Sequence, residues 1–486
     1  MPVQVKERPT LNPALRDFWH IPARNRILYG GRSSSKSWDA AGFAIFLACN
    51  YKIKFMCVRQ FQNKIKDSVY SLLKIQIARF GLMNDFVITK SEIIHKHTGS
   101  SFIFYGIHRH IDEIKSTEGI DICWIEEAHG LTKTQWEILE PTVRAEGSQF
   151  WIVFNPDLVS DFVYKTFVTG TPGKRIKGEI YGEIGATIKR KINYLENPFL
   201  SKTALDVIER KKAEDYKDYE HIYLGEPNLD DNASIIKRSW IRAAIDAHKK
   251  LGIKPSGKKR IGFDVGDEGD PNAIVRTHGI VTVEIDEWQA REDELVKSAA
   301  RVHRKALLHR AEVDYDSIGI GGFVGGYFAK LNEALEIGVP DVEYYKFNAG
   351  DAVVNPDDPQ DRDDPESKNN KEFFANLKAQ TWWHVGWKFK NTYLAVKAVD
   401  EGLDHGYPED ELLSISSDCD HVEELIDELS APKKDLALNG KAKVESKKDL
   451  KKRDIDSPNK ADAYVMANAI RTQGVKAQMF LSQRNR

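Results

Sequence analysis

The sequence predicts a two-domain α/β protein, and three observations support this fold class. The chain has 486 residues, enough for two or three domains. Its first region, about 1–225, alternates short apolar runs with helical patterns, which is typical of a parallel sheet covered by helices on both faces. From residue 260 the order changes to three consecutive strands, a helix and a further strand. We therefore expect domains at 1–225 and 258–486, with a linker at 226–257.

Each element is predicted from its own apolar pattern. In the first region, strands are predicted at 26–30, 54–59, 101–105, 120–125 and 150–154, with helices at 38–50 and 64–80. In the second region, strands are predicted at 260–264, 273–278, 280–288 and 311–315, with a helix at 293–309.

Composition excludes several classes of protein. Lys and Arg total 71 against 73 Asp and Glu, a formal net charge of −2, which excludes a globally basic protein but permits a local basic surface for nucleic acid. The four cysteines are too few and too scattered for a disulfide framework or a CxxC zinc site. No run of about 18 apolar residues occurs, so we expect no membrane association.

A glycine- and serine-rich run separates the first strand from the first helix. It consists of Gly30, Gly31, Arg32, Ser33, Ser34, Ser35, Lys36 and Ser37. This run matches the phosphate-binding pattern GxxxxGK[ST], except that Ser35 replaces the second glycine. Lys36 would add a positive charge for the β- and γ-phosphates, and Ser37 Oγ is a candidate Mg²⁺ ligand. A Gly/Ser loop that merely caps a helix is the alternative.

Polar residues follow two later strands of the first region. Glu126 and Glu127 end the strand at 120–125; the first would hold Mg²⁺ and the second would polarise the attacking water. Two ordinary surface acids are the alternative. Asn155 follows the strand at 150–154 and is a candidate sensor of the γ-phosphate, or else a turn asparagine before proline.

Eight runs resemble the large terminase subunits of tailed bacteriophages, most of all the headful-packaging type. They are GGRSSSKSW, VRQFQNKIKDSVYSLL, FYGI, IKSTEGIDICWIEEAHGLTKTQWEILEPTVR, WIVFNP, NPFL, YLGEP and SPNKADAYVMA. The resemblance implies an N-terminal P-loop ATPase of the ASCE class that drives DNA into a procapsid. It also implies a C-terminal, RNase H-like nuclease that cuts concatemeric DNA.

The resemblance also implies roles for single residues and for partners. It makes Lys36 and Ser37 nucleotide and metal contacts, Glu126 the Walker B acid, Glu127 the catalytic glutamate, Arg32 a γ-phosphate contact and Asn155 part of a coupling motif. Ser33 and Ser35 stand where relatives often have glycine. The implied partners are ATP with Mg²⁺, double-stranded DNA, a small terminase subunit and the portal protein. We expect a homo-oligomer on the portal, a free chain that can be monomeric, and action in the host cytoplasm.

Three acids of the second region suit two-metal cleavage of DNA. This chemistry needs carboxylates that converge on two Mg²⁺ or Mn²⁺ ions about 3.5–4 Å apart. Asp264 lies inside the first strand, Asp316 ends a later strand, and Asp462 lies on a distant helix. Each acid taken singly is equally consistent with a cap or a surface group. Weaker candidates are Asp267 as an accessory ligand, and Asp314 and Asp456 as alternatives for the second and third places.

A basic stretch at 432–453 precedes the third acid. It holds nine Lys or Arg against three acids, and Asn439-Gly440 between alternating runs indicates a hairpin. Such a hairpin could contact the DNA backbone through Lys441, Lys443 and Lys447, of which Lys447 is the candidate nearest the scissile phosphate. A merely solvated hairpin is the alternative. Lys378, in an earlier helical stretch, is a further candidate to face DNA.

Two other functions remain open at this point. An ATP-dependent DNA helicase or repair translocase would share the ATPase but lack cutting. A DNA-binding assembly adaptor with a decayed phosphate loop is a non-enzymatic possibility, supported only by the serine at position 35.

Overall fold

The computed structural model describes residues 10–60, 66–107, 114, 117–171, 173–176, 179–182, 187–266, 270–289, 294–361 and 364–471. The chain divides into two units, residues 1–229 and 230–486. None of the helices in the described ranges combines the length and apolar composition that crossing a membrane requires.

Within its described residues, the first unit is built on one eight-stranded sheet and a separate two-stranded ribbon. The strands are β1 (Asn25–Tyr29), β2 (Lys54–Arg59), β3 (Phe86–Ile88), β4 (Glu92–His95), β5 (Ser101–Gly106), β6 (Ile122–Glu126), β7 (Gln149–Phe154), β8 (Gly173–Ile176), β9 (Glu179–Gly182) and β10 (Thr187–Lys191). The sheet order is β10-β1-β7-β6-β2-β5-β4-β3, and β8 pairs with β9. The strands from β10 to β5 run parallel, whereas β4 and β3 are antiparallel.

Helices cover both faces of this sheet. They are α1 (Arg16–His20), α2 (Lys36–Asn50), α3 (Ser71–Arg79), α4 (Lys133–Thr142), α5 (Lys202–Glu214) and α6 (Tyr216–Tyr219), with π-helical turns at Lys66–Tyr70, Tyr164–Thr169 and Glu220–Leu224. Successive residues of the central strands alternate between two apolar clusters. Trp124 and Trp151 pack on one face, and Ile125 and Ile152 pack on the other. Strands buried on both faces explain the continuous apolar runs in the sequence.

The second unit contains, in the part that is described, a six-stranded mixed sheet and a short hairpin. The strands are β11 (Lys259–Asp264), β12 (Asn272–His278), β13 (Val281–Trp288), β14 (Glu312–Asp316), β15 (Tyr344–Phe347), β16 (Ser414–Ile415), β17 (Lys434–Leu436) and β18 (Ala442–Val444). The sheet order is β15-β14-β11-β12-β13-β16, and β17 pairs with β18. β11, β12 and β13 form an antiparallel meander, and β14 and β15 run parallel to β11.

The helices of the second unit pack on both faces of its sheet. They are α7 (Arg238–Ala244), α8 (Ala247–Lys250), α9 (Leu295–His309), α10 (Val324–Glu333), α11 (Asn370–Phe373), α12 (Leu377–Asp400), α13 (Val422–Ser430), α14 (Lys447–Lys452) and α15 (Asn459–Ala467). α15 lies so close to β11 that a Cβ at Gly262 would stand 1.9 Å from the carbonyl oxygen of Ala463. Only glycine at position 262 therefore allows α15 to pack this closely against the sheet.

The predicted α/β fold class is confirmed, with a mainly parallel sheet in the first unit and a mixed sheet in the second. The segment 226–257, which we expected to be a linker, contains α7 and α8. Ile236 and Ile241 from this segment lie in the apolar core of the second unit.

Substituting Gly262→Ala is expected to destabilise the second unit by about 2 kcal/mol, because overpacking a close helix–strand contact forces a backbone shift. Differential scanning calorimetry of the full chain measures this as a lowered transition temperature. Gly326→Ala in α10 is the matched control, since its added Cβ meets no atom within 4 Å. An equal effect of both substitutions would refute the close-contact explanation.

Candidate functional sites

The phosphate loop, residues 30–37, is held against the backbone of its own unit. A Cβ at Gly30 would lie 1.9 Å from the carbonyl oxygen of Ile192, and one at Gly31 would lie 1.9 Å from that of Tyr223. Gly30 also has a φ of +139°, which L-residues rarely adopt. Both glycines are therefore required by backbone packing.

The middle of the loop contains two serines in the left-handed region. Ser33 has a φ of +62° and Ser35 a φ of +67°, a conformation that costs about 1–2 kcal/mol per non-glycine residue. Glycine would adopt this conformation without that cost. Arg32 is exposed, and its backbone N–H donates to the carbonyl of Ile222 at 2.7 Å.

The Lys36 ammonium is buried beneath the loop. It donates to Gly30 O (2.9 Å), Gly31 O (2.7 Å), Ser34 Oγ (2.9 Å) and Asn155 Oδ1 (2.7 Å). All four acceptors are neutral, and burial lowers the pKa of Lys36 to about 7. A buried cation bonded to neutral oxygens is short of negative charge, so its surroundings suit a phosphate.

The two predicted Mg²⁺ ligands of this site are in direct contact. Ser37 Oγ donates a hydrogen bond to Glu126 Oε1, and the Trp124 indole donates to Glu126 Oε2 at 2.9 Å. Burial raises the pKa of Glu126 to about 7. A hydroxyl and a carboxylate side by side form the all-oxygen donor set that Mg²⁺ prefers, so these residues fit the expected ion.

Glu127 has a partner that the sequence analysis missed. Its backbone is left-handed (φ +53°), and its half-exposed carboxylate forms an ion pair with Arg59, whose Nε lies 3.1 Å from Oε2. Arg59 ends β2, which pairs with β6, the strand that leads into Glu127. The position of Arg59 at the carboxyl end of a strand parallel to β6 was the sequence signal that could have identified this partner.

Two asparagines also contact the loop and were missed. Asn12 Nδ2 donates to Ser35 Oγ at 2.9 Å, and Asn197 Nδ2 donates to the carbonyl of Ser33 at 2.7 Å. Asn197 belongs to the run NPFL, but nothing in its local pattern indicates a partner 164 residues away.

The three predicted acids of the second unit line one cavity. The cavity is lined by Asp264, Asp316, Phe347, Ala349, Lys378, Trp382, Asp462, Val465 and Met466. Asp264 and Asp316 end two adjacent parallel strands, one residue beyond the pair Phe263–Tyr315, and Asp462 comes from α15. Burial raises the pKa of Asp264 to about 8, and the charge of Asp462 adds to this effect. Burial also raises the pKa of Asp316.

Two lysines bring positive charge to these carboxylates. Lys378 Nζ lies 2.8 Å from Asp462 Oδ1 and 3.0 Å from Oδ2, so this side chain pairs with one of the three acids. Its contact with DNA stays a prediction. Burial alone would lower the pKa of Lys447, but the charges of Asp264 and Asp462 raise it. Lys447 is thus within electrostatic reach of these two acids.

No group of three or more His, Cys, Asp or Glu side chains is arranged to hold a metal ion as it stands, as far as the described residues show. The three carboxylates repel one another, and one of them, Asp462, forms an ion pair with Lys378. Their chemistry nevertheless fits the expected ions, because three Asp carboxylates open to one cavity are ligands for Mg²⁺ or Mn²⁺.

The other candidates lie elsewhere. Asp314 is buried, and its Oδ2 forms ion pairs with the guanidinium groups of Arg260 (2.9 Å) and Arg471 (2.6 Å). Asp456 is exposed and is not among the residues that line the cavity. Asp267 lies outside the described residues.

The basic stretch forms the predicted hairpin of β17 and β18, with Gly440 at a φ of +76° in its turn. Lys443 pairs with Asp435 across the hairpin at 3.0 Å. Among the described contacts, none joins Lys441 or Lys443 to the three acids. Lys447 begins α14, which follows the hairpin.

Comparison with known proteins identifies related sequences. Residues 23–226 match the family described as phage terminase large subunit. The chain is 29% identical over 266 residues to the terminase large subunit of Bacillus phage SPP1, covering 52% of this chain and 60% of that protein. It is 23% identical over 277 residues to the PBSX phage terminase large subunit of Bacillus subtilis (strain 168), covering 55% and 64%. The matches thus span less than two thirds of each relative.

Solved structures show weaker likenesses. The nuclease domain of the large terminase subunit gp2 of bacterial virus Sf6 covers 49% of this chain and 99% of its own, at 27% identity and a TM-score of 0.42. The large terminase of a thermophilic bacteriophage in complex with ADP covers 93% and 96%, at 13% identity and a TM-score of 0.36. Both TM-scores are below 0.5, so neither superposition alone establishes a shared structure.

Ser33→Gly is expected to raise the free energy of unfolding by about 1 kcal/mol, because glycine adopts a positive φ without the strain of an L-residue. Thermal unfolding of the full chain, followed by circular dichroism, measures the change. Ser91→Gly is the control, since Ser91 is exposed and does not have a positive φ. A stability gain at Ser91 but not at Ser33 would contradict the strain argument.

Lys378→Ala is expected to lower stability in EDTA by about 2 kcal/mol, because it leaves Asp462 without its charged hydrogen-bond partner. Added Mn²⁺ is expected to restore most of the loss, since a bound cation neutralises the same carboxylates. Thermal shift with EDTA and with Mn²⁺ makes the comparison, and exposed Lys390→Ala on the same helix serves as control. A Mn²⁺ shift no larger than that of the wild type would count against the shared role.

Proposed function

We propose that the chain is the motor and nuclease of a phage DNA-packaging machine, because residues 23–226 match the family described as phage terminase large subunit. ATP hydrolysis in residues 1–225 drives double-stranded DNA into a procapsid. A metal-dependent endonuclease in residues 258–486 cuts concatemeric DNA to start and end packaging. The observation that carries the proposal is the buried Lys36 ammonium, whose four hydrogen-bond acceptors are all neutral.

In the ATPase, the phosphate loop and Lys36 would hold the phosphates, and Ser37 and Glu126 would hold Mg²⁺. When bound, the ion neutralises charge on the phosphates during transfer. Glu127 follows Glu126 directly and, once released from Arg59, orients water and accepts its proton. Asn155 already contacts the Lys36 ammonium, so it is suited to detect a change in what that ammonium binds.

The exposed Arg32 is suited to a second charge contact. Its guanidinium lies on the solvent side of the loop, where it can approach the γ-phosphate without being desolvated beforehand. Lys36 and Arg32 then contact the phosphates from the buried side and from the solvent side.

In the nuclease, Asp264, Asp316 and Asp462 would hold two Mg²⁺ or Mn²⁺ ions. Bound ions of this kind activate water and stabilise the leaving oxygen of a phosphodiester. Lys378 neutralises Asp462 in the absence of metal, which limits repulsion between the carboxylates. Lys447 places an ammonium beside the acids, where it is suited to hold the phosphate that is cut. Lys441 and Lys443 extend this positive surface along the DNA backbone.

The proposed partners follow from the same family. They are double-stranded DNA, a small terminase subunit and the portal protein of the procapsid, with several copies of the chain on the portal and a monomeric free chain. The proposed place of action is the host cytoplasm. A helicase or repair translocase without nuclease activity is not favoured, because the matched family and the curated relatives are terminases.

Two substitutions separate the proposed activities. Lys36→Ala is expected to lower ATP turnover by at least about a hundredfold, since it removes a charge that stabilises phosphoryl transfer, while DNA cleavage persists. Asp264→Asn is expected to lower the rate of DNA cleavage by more than about 100-fold, while ATP turnover persists. Loss of a residue that only supports a metal ligand costs roughly 10–100-fold, and Asp264 is a proposed ligand itself. ATPase and plasmid-cleavage assays with Mg²⁺, Mn²⁺ and EDTA measure both.

Exposed residues provide the matched controls, namely Lys202→Ala for the first substitution and Asp456→Asn for the second. Equal ATP turnover in wild type and Lys36→Ala would support the adaptor instead. Cleavage unaffected by Asp264→Asn, or absent from the wild type, would leave a translocase without a nuclease.

A further inference from the structure

The strained part of the phosphate loop is held from outside by two asparagines. Ser33 and Ser35 both have positive φ, so the loop on its own would relax toward negative φ at these residues. We propose that Asn12 and Asn197 are positioning residues that keep the loop in its phosphate-binding conformation before nucleotide arrives. This inference rests on the proposed nucleotide site.

Asn197 fixes the backbone of Ser33 directly. Its Nδ2 donates to the Ser33 carbonyl at 2.7 Å, and its Oδ1 accepts from the backbone N–H of Phe199 at 3.0 Å. The second bond fixes the amide group of Asn197, so the donor cannot rotate away from the loop without breaking it. The orientation of the peptide after Ser33 is thereby set by a segment outside the loop.

Asn12 fixes the other strained residue. It is buried, and its Nδ2 donates to Ser35 Oγ at 2.9 Å, while its backbone N–H donates to Asp39 Oδ1 at 2.6 Å. Asp39 lies in the first turn of α2, the helix that the loop opens. Asn12 therefore ties Ser35 to the beginning of that helix.

The two asparagines act on the loop as one unit. Asn12 Nδ2 also donates to the carbonyl of Glu196 at 3.0 Å, and Glu196 directly precedes Asn197. The segments around residues 12 and 196–197 are thus hydrogen-bonded to each other. One of them contacts Ser35 and the other contacts Ser33. With this support removed, the loop amides must be reordered when a phosphate binds, so affinity falls although no contact to the nucleotide is lost.

The test measures Mg·ADP binding to the full chain by isothermal titration calorimetry. Asn197→Ala is expected to weaken binding about tenfold, because part of the left-handed strain must then be overcome on binding. Asn12→Ala is expected to act in the same direction. ATP turnover kinetics are expected to show the change in KM, with kcat altered less than twofold.

Asn193→Ala is the matched control, because Asn193 Oδ1 accepts from the N–H of Leu195 just as Asn197 Oδ1 accepts from that of Phe199. It removes the same local turn without touching the loop, so it is expected to leave ADP affinity within twofold of the wild type.

A glycine substitution separates positioning from general destabilisation. Ser33→Gly added to Asn197→Ala is expected to recover ADP affinity to within about threefold of the wild type, because glycine reaches a positive φ without external support. Both variants are titrated well below their unfolding transitions, so the stability gain expected from Ser33→Gly does not by itself account for a recovery of affinity. Wild-type affinity in Asn197→Ala, or no recovery by glycine, would overturn the inference alone. Absence of ADP binding by the wild type would overturn the proposed nucleotide site as well.

Discussion

Both candidate sites depend on the parallel pairing of neighbouring strands, because parallel strands end at the same edge of a sheet. In the first unit, β1, β7, β6 and β2 end in the phosphate loop, Asn155, Glu126 and Arg59. In the second unit, β11 and β14 end in Asp264 and Asp316. Buried strands fix where these ends lie, so the polar groups that follow are positioned by the apolar core rather than by flexible loops.

Charge compensation is the second principle that the two sites share. A buried charge is costly unless it is paired or hydrogen-bonded, and several charged groups of the two sites are bonded within the chain. Lys36 is bonded to neutral oxygens, Asp462 to Lys378, and Glu127 to Arg59. Binding of an external ion or phosphate is therefore an exchange of partners, and its net free energy is smaller than the new contacts alone suggest.

Local sequence pattern predicted the strands that lead into the two candidate sites, but not β3, β4, β10, β15 and β16. β2 has the predicted bounds because its apolar run is continuous, and Asp264 was conspicuous as an acid within a buried strand. The helix predicted at 64–80 begins as an α-helix only at Ser71, after a π-helical turn. Partners from distant segments, such as Lys378 for Asp462, could not be predicted, because they depend on which elements become neighbours in the fold.

The glycines at the start of the phosphate loop have a mechanical consequence. The contacts there are between backbone atoms, because the carbonyls of Ile192 and Tyr223 fill the space where Cβ atoms of Gly30 and Gly31 would lie. No rotamer change can absorb a movement at such a junction. A displacement of the loop is therefore transmitted to the polypeptide around residue 223, shortly before the first unit ends at Leu229.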